Sequence, residues 1–207
     1  SFKVDRVLQN TSGAVDELAF QAEQKIKATA NYFHNLVING TSAASGTGYV
    51  PNTFDGLKKL LTGTSSEITS TVSLTTSAEL DSNYNAFLDE MDGFLSVLDG
   101  APSMLLMNTA MLTKVRSIAR RAGYYERTKD DFGRVVETYA GVPMVDLGKY
   151  YNGTSTVDVV ETSAASTSAA GATDIYAVSL GLDGFHGISP TGTGVISSYM
   201  PDLSAPG

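Results

Sequence analysis

The sequence predicts an α+β fold in two lobes, one organised on a single long helix and the other on a mixed β-sheet flanked by helices. Three observations carry this expectation. Apolar side chains at Val15, Leu18, Ala19, Ala22, Ile26, Ala30, Phe33 and Val37 recur at steps of three and four, which aligns them along one side of a continuous helix. Helical and strand patterns then alternate between residues 68 and 183. Among them Met104-Leu105-Leu106-Met107 is an unbroken apolar run, as expected of a strand covered on both faces.

In chain order, residues 2–8 begin as an alternating strand. With no partner nearby, that strand suggests a chain that opens in the middle of a fold. The long helix follows over 12–39. Ser12 suits its N-cap, Asp16 and Glu17 place negative charge where the first orphan N–H groups favour it, and Asn39-Gly40 supplies the stop. Between the stops lie about 26 residues, or roughly 39 Å at 1.5 Å per residue. No other segment is long enough to cover such a rod, which therefore reads as a strut covered by neighbouring copies.

A flexible stretch over 41–53 precedes a short helix with Phe54, Leu57, Leu60 and Leu61 inward. Ile68, Val72 and Leu74 alternate with polar residues as a half-buried strand. Thr76 and Glu79 form a capping box, and the helix they start buries Leu80, Tyr84, Phe87, Leu88, Met91, Phe94, Leu95 and Leu98. After the 104–107 strand, Asn108 caps a third helix to Ala122, stopped by Gly123. Residues 134–139 and 142–147 make a hairpin about Ala140-Gly141, and Pro143 places its second strand at or near an edge. A low-complexity excursion over 150–173 holds one strand at 156–160. Residues 175–182 read as a central strand and 195–200 as a last one.

Composition excludes several function classes. Charged residues are only 17% of the chain, so the surface is expected to be unusually neutral and compatible with extensive subunit contact. A formal charge of −8 argues against nucleic-acid binding by the chain as a whole, because phosphate contacts need clustered cations. With no cysteine there is no disulfide framework or thiolate metal site, and a reducing cytoplasm is the simplest home. No apolar run approaches the roughly 20 residues of a membrane span, and no signal peptide is visible. Chance accounts for the sequons at Asn10, Asn39 and Asn152.

The motifs that carry chemistry elsewhere have plainer readings here. Asp131-Phe132-Gly133 matches the magnesium-holding tripeptide of protein kinases, but the rest of that set is missing, so it reads as a turn before the hairpin. His34 and His186 have no metal-ligand spacing; His34 sits beside Phe33 at the boundary of the buried helix face, where a packing or interface role fits better than catalysis, and His186 lies between glycines that suggest close backbone approach. Residues 40–48 and 192–194 lack the Gly-Lys-[Ser/Thr] ending of a phosphate loop. Asp89, Glu90 and Asp92 fall on a solvated helix side. Lys114, Arg116, Arg120 and Arg121 cluster on the third helix, either as a solvated face near a favourable C-terminus or as a patch for acidic residues of a neighbouring subunit. No catalytic residue, cofactor or metal ligand is assigned.

Residues 21–25 and 33–40, then Phe54-Asp55-Gly56-Leu57, 104–108, Gly141-Val142-Pro143-Met144-Val145 and Gly184-Phe185-His186-Gly187, taken in order and spacing, resemble the major capsid protein of tailed double-stranded DNA bacteriophages, the coat fold also used by encapsulins. The resemblance implies a long spine helix (12–39) in a peripheral domain of residues 1–67 and 184–207, and an axial domain over 68–183 that gathers around five-fold and six-fold axes. Residues 2–8 then look like the returning strand of an extended loop, and most of that loop and the N-terminal arm are absent. The function implied is a non-catalytic structural subunit of a phage or prophage icosahedral shell around double-stranded DNA. Its partners would be identical subunits, with a scaffold or maturation protease as accessories; its place would be the virion capsid, assembled in the bacterial host cytoplasm. Phe20, Tyr32 and Leu36, off the main stripe, and Lys114, Arg116, Arg120 and Arg121 are the candidate interface residues. Two other readings stay open: a small cytoplasmic α/β hydrolase or transferase using Asp130, Asp131 and His186, and a Ser/Thr-rich surface or tail protein.

Overall fold

The computed structural model describes residues 17–42, 53–123, 127–129, 135–163, 171–188 and 192. Its elements are α1 (Glu17–Asn39), α2 (Leu57–Leu61), α3 (Ser77–Ser96), β1 (Met104–Met107), α4 (Thr109–Ala122), β2 (Arg127–Lys129), β3 (Val135–Tyr139), β4 (Val142–Asp146), β5 (Lys149–Tyr151), β6 (Thr156–Asp158) and β7 (Tyr176–Val178). Five strands form a mixed sheet in the order β2-β3-β4-β1-β7, and β5 with β6 forms a separate two-stranded ribbon. β1 runs parallel to β4, pairing Leu105 with Met144, and antiparallel to β7, pairing Leu105 with Ala177. The expected strands at 2–8 and 195–200, the first turn of the long helix and Asp131-Phe132-Gly133 lie outside the described residues.

β1 is buried on both faces. Leu105 and Met107 join Phe87 and Met91 of α3, Met111, Leu112, Val115 and Ile118 of α4, and Val142 and Met144 of β4. Leu106 points the other way, into a second cluster with Ile38, Leu57, Val159, Val160, Tyr176 and Val178. The result is three layers: α3 and α4, the sheet, and then the end of α1 with α2 and the ribbon. Each fully buried Leu or Met contributes about 1.5–3 kcal/mol relative to exposure, which makes this strand the most costly part of the sheet to disturb.

The helix ends follow the sequence signals. Thr76 and Glu79 complete a reciprocal capping box at α3, Asn108 Oδ1 accepts from Met111 N at 2.8 Å at α4, and Gly123 takes the left-handed conformation (φ 77°) that closes α4. Ala140 and Gly141 both have positive φ (49° and 80°), as a two-residue hairpin turn of the β3–β4 kind requires. Tyr139 on β3 donates its hydroxyl to Asp92 Oδ1 at 2.7 Å, and burial together with that acceptor raises its pKa well above the usual phenol value.

Four expectations are corrected. β4 is an inner strand, not an edge: Pro143 pairs with Thr138, next to the turn-flanking pair of Tyr139 and Val142, and pairing with β1 starts only at Met144, so no described ladder bond needs its missing N–H. Among the described residues β7 is an edge strand of three residues rather than a central one; beyond Val178 the chain doubles back, with Phe185 N donating to Ser179 O at 2.7 Å. Residues 68–74 form no strand; α3 takes their polar groups instead, Glu90 accepting from the Ser70 hydroxyl and Glu79 from Ser73. In the short helix only Leu57 is buried, and Phe54 and Leu60 are exposed.

Asn108 ties the layers together. It is 1% exposed, and its Nδ2 donates to Val160 O, Thr162 Oγ1 and Thr173 Oγ1 at 3.0, 3.1 and 2.9 Å while its Oδ1 caps α4. Replacing it by alanine removes the cap and leaves a buried carbonyl without its donor. Asn108→Ala is expected to lower the unfolding free energy by about 3 kcal/mol, measured by urea denaturation; a loss below about 1 kcal/mol would contradict this role.

Candidate assembly surface

Among the described residues, the fully buried side chains of the long helix lie near its C-terminus. Asn35 and Ile38 are buried, and Asn39 Nδ2 bridges Asn35 Oδ1 and Val159 O at 2.8 Å each. At 3.6 residues per turn, Asn35 and Ile38 lie roughly 140–200° around the helix from Phe33. At this last turn the described body therefore packs on the side opposite the apolar stripe, whose Ala22, Ala30 and Val37 are half-buried. Ile26, in the middle of the stripe, is 56% exposed, and Phe33 is 36% exposed with only a tilted ring contact to Phe54 at 6.1 Å. Off the stripe, Phe20 and Tyr32 are exposed and Leu36 is half-buried. His34 is exposed too, not at the edge of a buried face.

The junction after α1 is tightly crossed. Gly40 N closes the helix on Leu36 O at 2.9 Å, and Gly56 N donates to Gly40 O at 2.8 Å. A Cβ on Gly56 would meet Ile38 O and Gly40 N at 2.5 and 2.6 Å, and one on Gly40 would clash with the Leu36 and Phe54 carbonyls. Asp55 fastens this crossing, accepting from Ser42 N, Ser42 Oγ and Lys59 Nζ, each at 2.7 Å. Those contacts, Lys59 first and Ser42 next, pull its pKa from 3.8 down to about 2.

The cations of α4 are divided. Arg116 pairs with Glu137 of β3 and Arg121 with Asp81 of α3, both at 2.5 Å. Lys114 is half-buried and Arg120 exposed, and neither forms an ion pair among the described residues. His186 is exposed, with Nδ1 3.0 Å from Gly184 O; Asp130 and Asp131, its companions in the enzyme reading, lie outside the described residues. Gly184 does sit in close backbone approach, against Ser179 O, whereas Gly187 is open. Among the described residues no group of three or more His, Asp or Glu could hold a metal ion, and no helix is long and apolar enough to cross a membrane.

Among the described residues the rod is docked at one end and Ile26 stands exposed, a geometry that suits a subunit covered by others. The model of the SU10 major capsid protein family matches residues 2–148 of the 207. The chain belongs to that family. It is a structural subunit of a bacteriophage capsid, found in the virion shell and assembled there with further subunits. No curated protein and no solved structure matches it. The mixed sheet and its flanking helices are compatible with a capsid protein, and the stripe's spacing marked an apolar side of α1 without saying what covers it. What that spacing lacked was the docking point at Asn35 and Ile38, which occupies a polar and an apolar position outside the stripe.

For this capsid subunit the acid behaviour of the junction follows from Asp55. Its folded pKa is depressed from 3.8 to about 2, so the stabilisation is complete above the unfolded value and is lost as pH falls through the folded one. Hydrogen exchange at the Ser42 and Gly56 amides is expected to be faster in Asp55→Ala than in the parent chain above about pH 4, with the difference vanishing towards about pH 2. Equal rates in the two chains above pH 4 would refute the fastening role.

Proposed function

We propose that the subunit builds a closed icosahedral shell around double-stranded DNA, with α1 as the spine of a peripheral domain (residues 1–67 and 184–207) and residues 68–183 as the axial domain. What supports this reading beyond family membership is the arrangement of α1 among the described residues: its last turn is docked through Ile38 on one side, while Ile26 is exposed on the other and Phe33, beside Phe54, partly so. Neighbouring copies cover that side, with Tyr32 and Leu36 flanking it, and Phe20, which shares the Ile38 side of the helix, takes part beyond the docked turn. The subunit works by shape and repeated contact rather than by catalysis, and many modest interfaces multiplied by symmetry suffice for a closed particle. Assembly takes place in the bacterial host cytoplasm, with a scaffold or a maturation protease as the accessory partners this reading admits.

Electron microscopy of the full-length protein tests it, and closed shells are the expected result. Ile26→Glu with Phe20→Glu is expected to leave the thermal midpoint of the isolated subunit within a few degrees of the parent while shells disappear, because both side chains are exposed there. Shells in normal yield from that variant would remove α1 from the interface.

A further inference from the structure

The chain contains two Asn-Gly dipeptides, Asn39-Gly40 and Asn152-Gly153, each followed by threonine, and the fold treats them in opposite ways. The dipeptide is chemically labile, because a glycine without a Cβ leaves its backbone nitrogen open to the preceding side-chain amide. Asn39 is the last residue of α1. Its Nδ2 donates to Asn35 Oδ1 and to Val159 O at 2.8 Å each, and Gly40 N donates to Leu36 O at 2.9 Å. Side chain and nitrogen are both engaged elsewhere, and Gly40 is buried.

Asn152 lies in the turn between β5 and β6, where residues 151–156 are all exposed. Its N–H donates to Ser155 O at 3.0 Å and closes the turn. Its Oδ1 accepts from Thr154 N at 2.9 Å and from Ser155 N at 2.8 Å. Two backbone donors facing one atom fix that atom as the amide oxygen. Among the described residues neither Asn152 Nδ2 nor Gly153 N has a hydrogen-bond partner, and a Cβ on Gly153 would meet nothing within 4 Å. The arrangement is that of an oxyanion hole. When a nucleophile adds to Cγ the developing charge falls on Oδ1, where two N–H groups already point.

We propose that Asn152 is a site of spontaneous covalent modification, converting to aspartate and isoaspartate, while the docking of α1 keeps Asn39 unreactive. Gly153 N attacks Asn152 Cγ; the N–Cγ bond forms, the Cγ–Nδ2 bond breaks, and the Gly153 amide proton leaves with the side-chain nitrogen as ammonia. The cyclic imide then takes up a water molecule from solvent, and nothing is oxidised or reduced. Opening between the nitrogen and Cγ gives aspartate. Opening between the nitrogen and the backbone carbonyl carbon gives isoaspartate, which routes the main chain through Cγ. The chemistry needs no partner subunit. Aspartate still accepts from both amides and keeps the turn. Isoaspartate lengthens the loop that holds Tyr151 opposite Thr156, and so loosens the ribbon that leads into Val159 and Val160 beside Ile38.

The test is peptide mapping by mass spectrometry of the full chain aged at mildly alkaline pH, once folded and once in denaturing urea. In the folded chain, conversion at Asn152 is expected to run at least about tenfold faster than at Asn39. In urea both dipeptides lose the hydrogen bonds of the fold, and their rates are expected to agree within about threefold. Folded Asn152 is expected to convert at least as fast as in urea, whereas a turn that merely held the side chain would slow it. Amide hydrogen exchange reads the consequence: Asn152→Asp is expected to match the parent over β5 and β6, and the isolated isoaspartyl form to exchange faster there. Equal rates at the two sites in the folded chain, or an Asn152 that converts more slowly folded than in urea, overturn the proposal. An isoaspartyl form with the parent's exchange overturns the loosening of the ribbon. None of these outcomes touches the capsid reading, which particle formation decides separately.

Discussion

Leu105, Leu106 and Met107 are all buried, and a strand whose alternate side chains both need cover forces a layer on either side of it. On one side α3 and α4 are long enough to supply that cover with whole helical faces. On the other side Leu106 is met by Val159 and Val160 from the ribbon, Leu57 from α2, and a single deeply buried residue of α1, Ile38. The long helix is thus needed by this core only at its last turn. Because Gly40 and Gly56 let the backbones cross without a Cβ between them, that turn can sit close to the sheet while the rest of the rod runs on. The freedom of α1 is a consequence of how little of it β1 requires.

Much of this was legible in the residues. Local signals that act over three or four positions translated directly: the Thr76–Glu79 box, the Asn108 cap, the Gly123 stop and the Ala140-Gly141 turn all sit where their chemistry places them. The both-faces burial of 104–107 was readable because four consecutive apolar side chains have no solvated side to offer. Where the reading failed, pairing decided the outcome. Pro143 is harmless inside a sheet because of its register against Thr138 and the point at which β1 joins. Residues 68–74 keep the expected burial only at Val72 and Leu74, Ile68 being exposed, and meet helix carboxylates instead of a strand. The short strands β2 and β5 were missed because three residues are too few to show a period; Asn152-Gly153 between β5 and β6 was the one turn signal available for the ribbon.

The candidate surface was legible in a different sense. Composition showed a sparsely charged chain, and the stripe on α1 showed an apolar side, but neither states which side the body uses. That choice comes from Asn35, whose amide group is satisfied within the docking turn, and from Ile38 five residues past Phe33. Among the described residues, a polar residue on the docked side and an exposed Ile26 on the other invert the usual amphipathic arrangement, in which the apolar stripe faces its own core.

That inversion bears on how a shell could hold together. A rod fixed at one end transmits load only if something else holds its length, and within one subunit the middle of α1 has no such support among the described residues. A neighbour lying on the stripe would supply both the apolar cover and the mechanical restraint, so stability and assembly would be the same event for this helix.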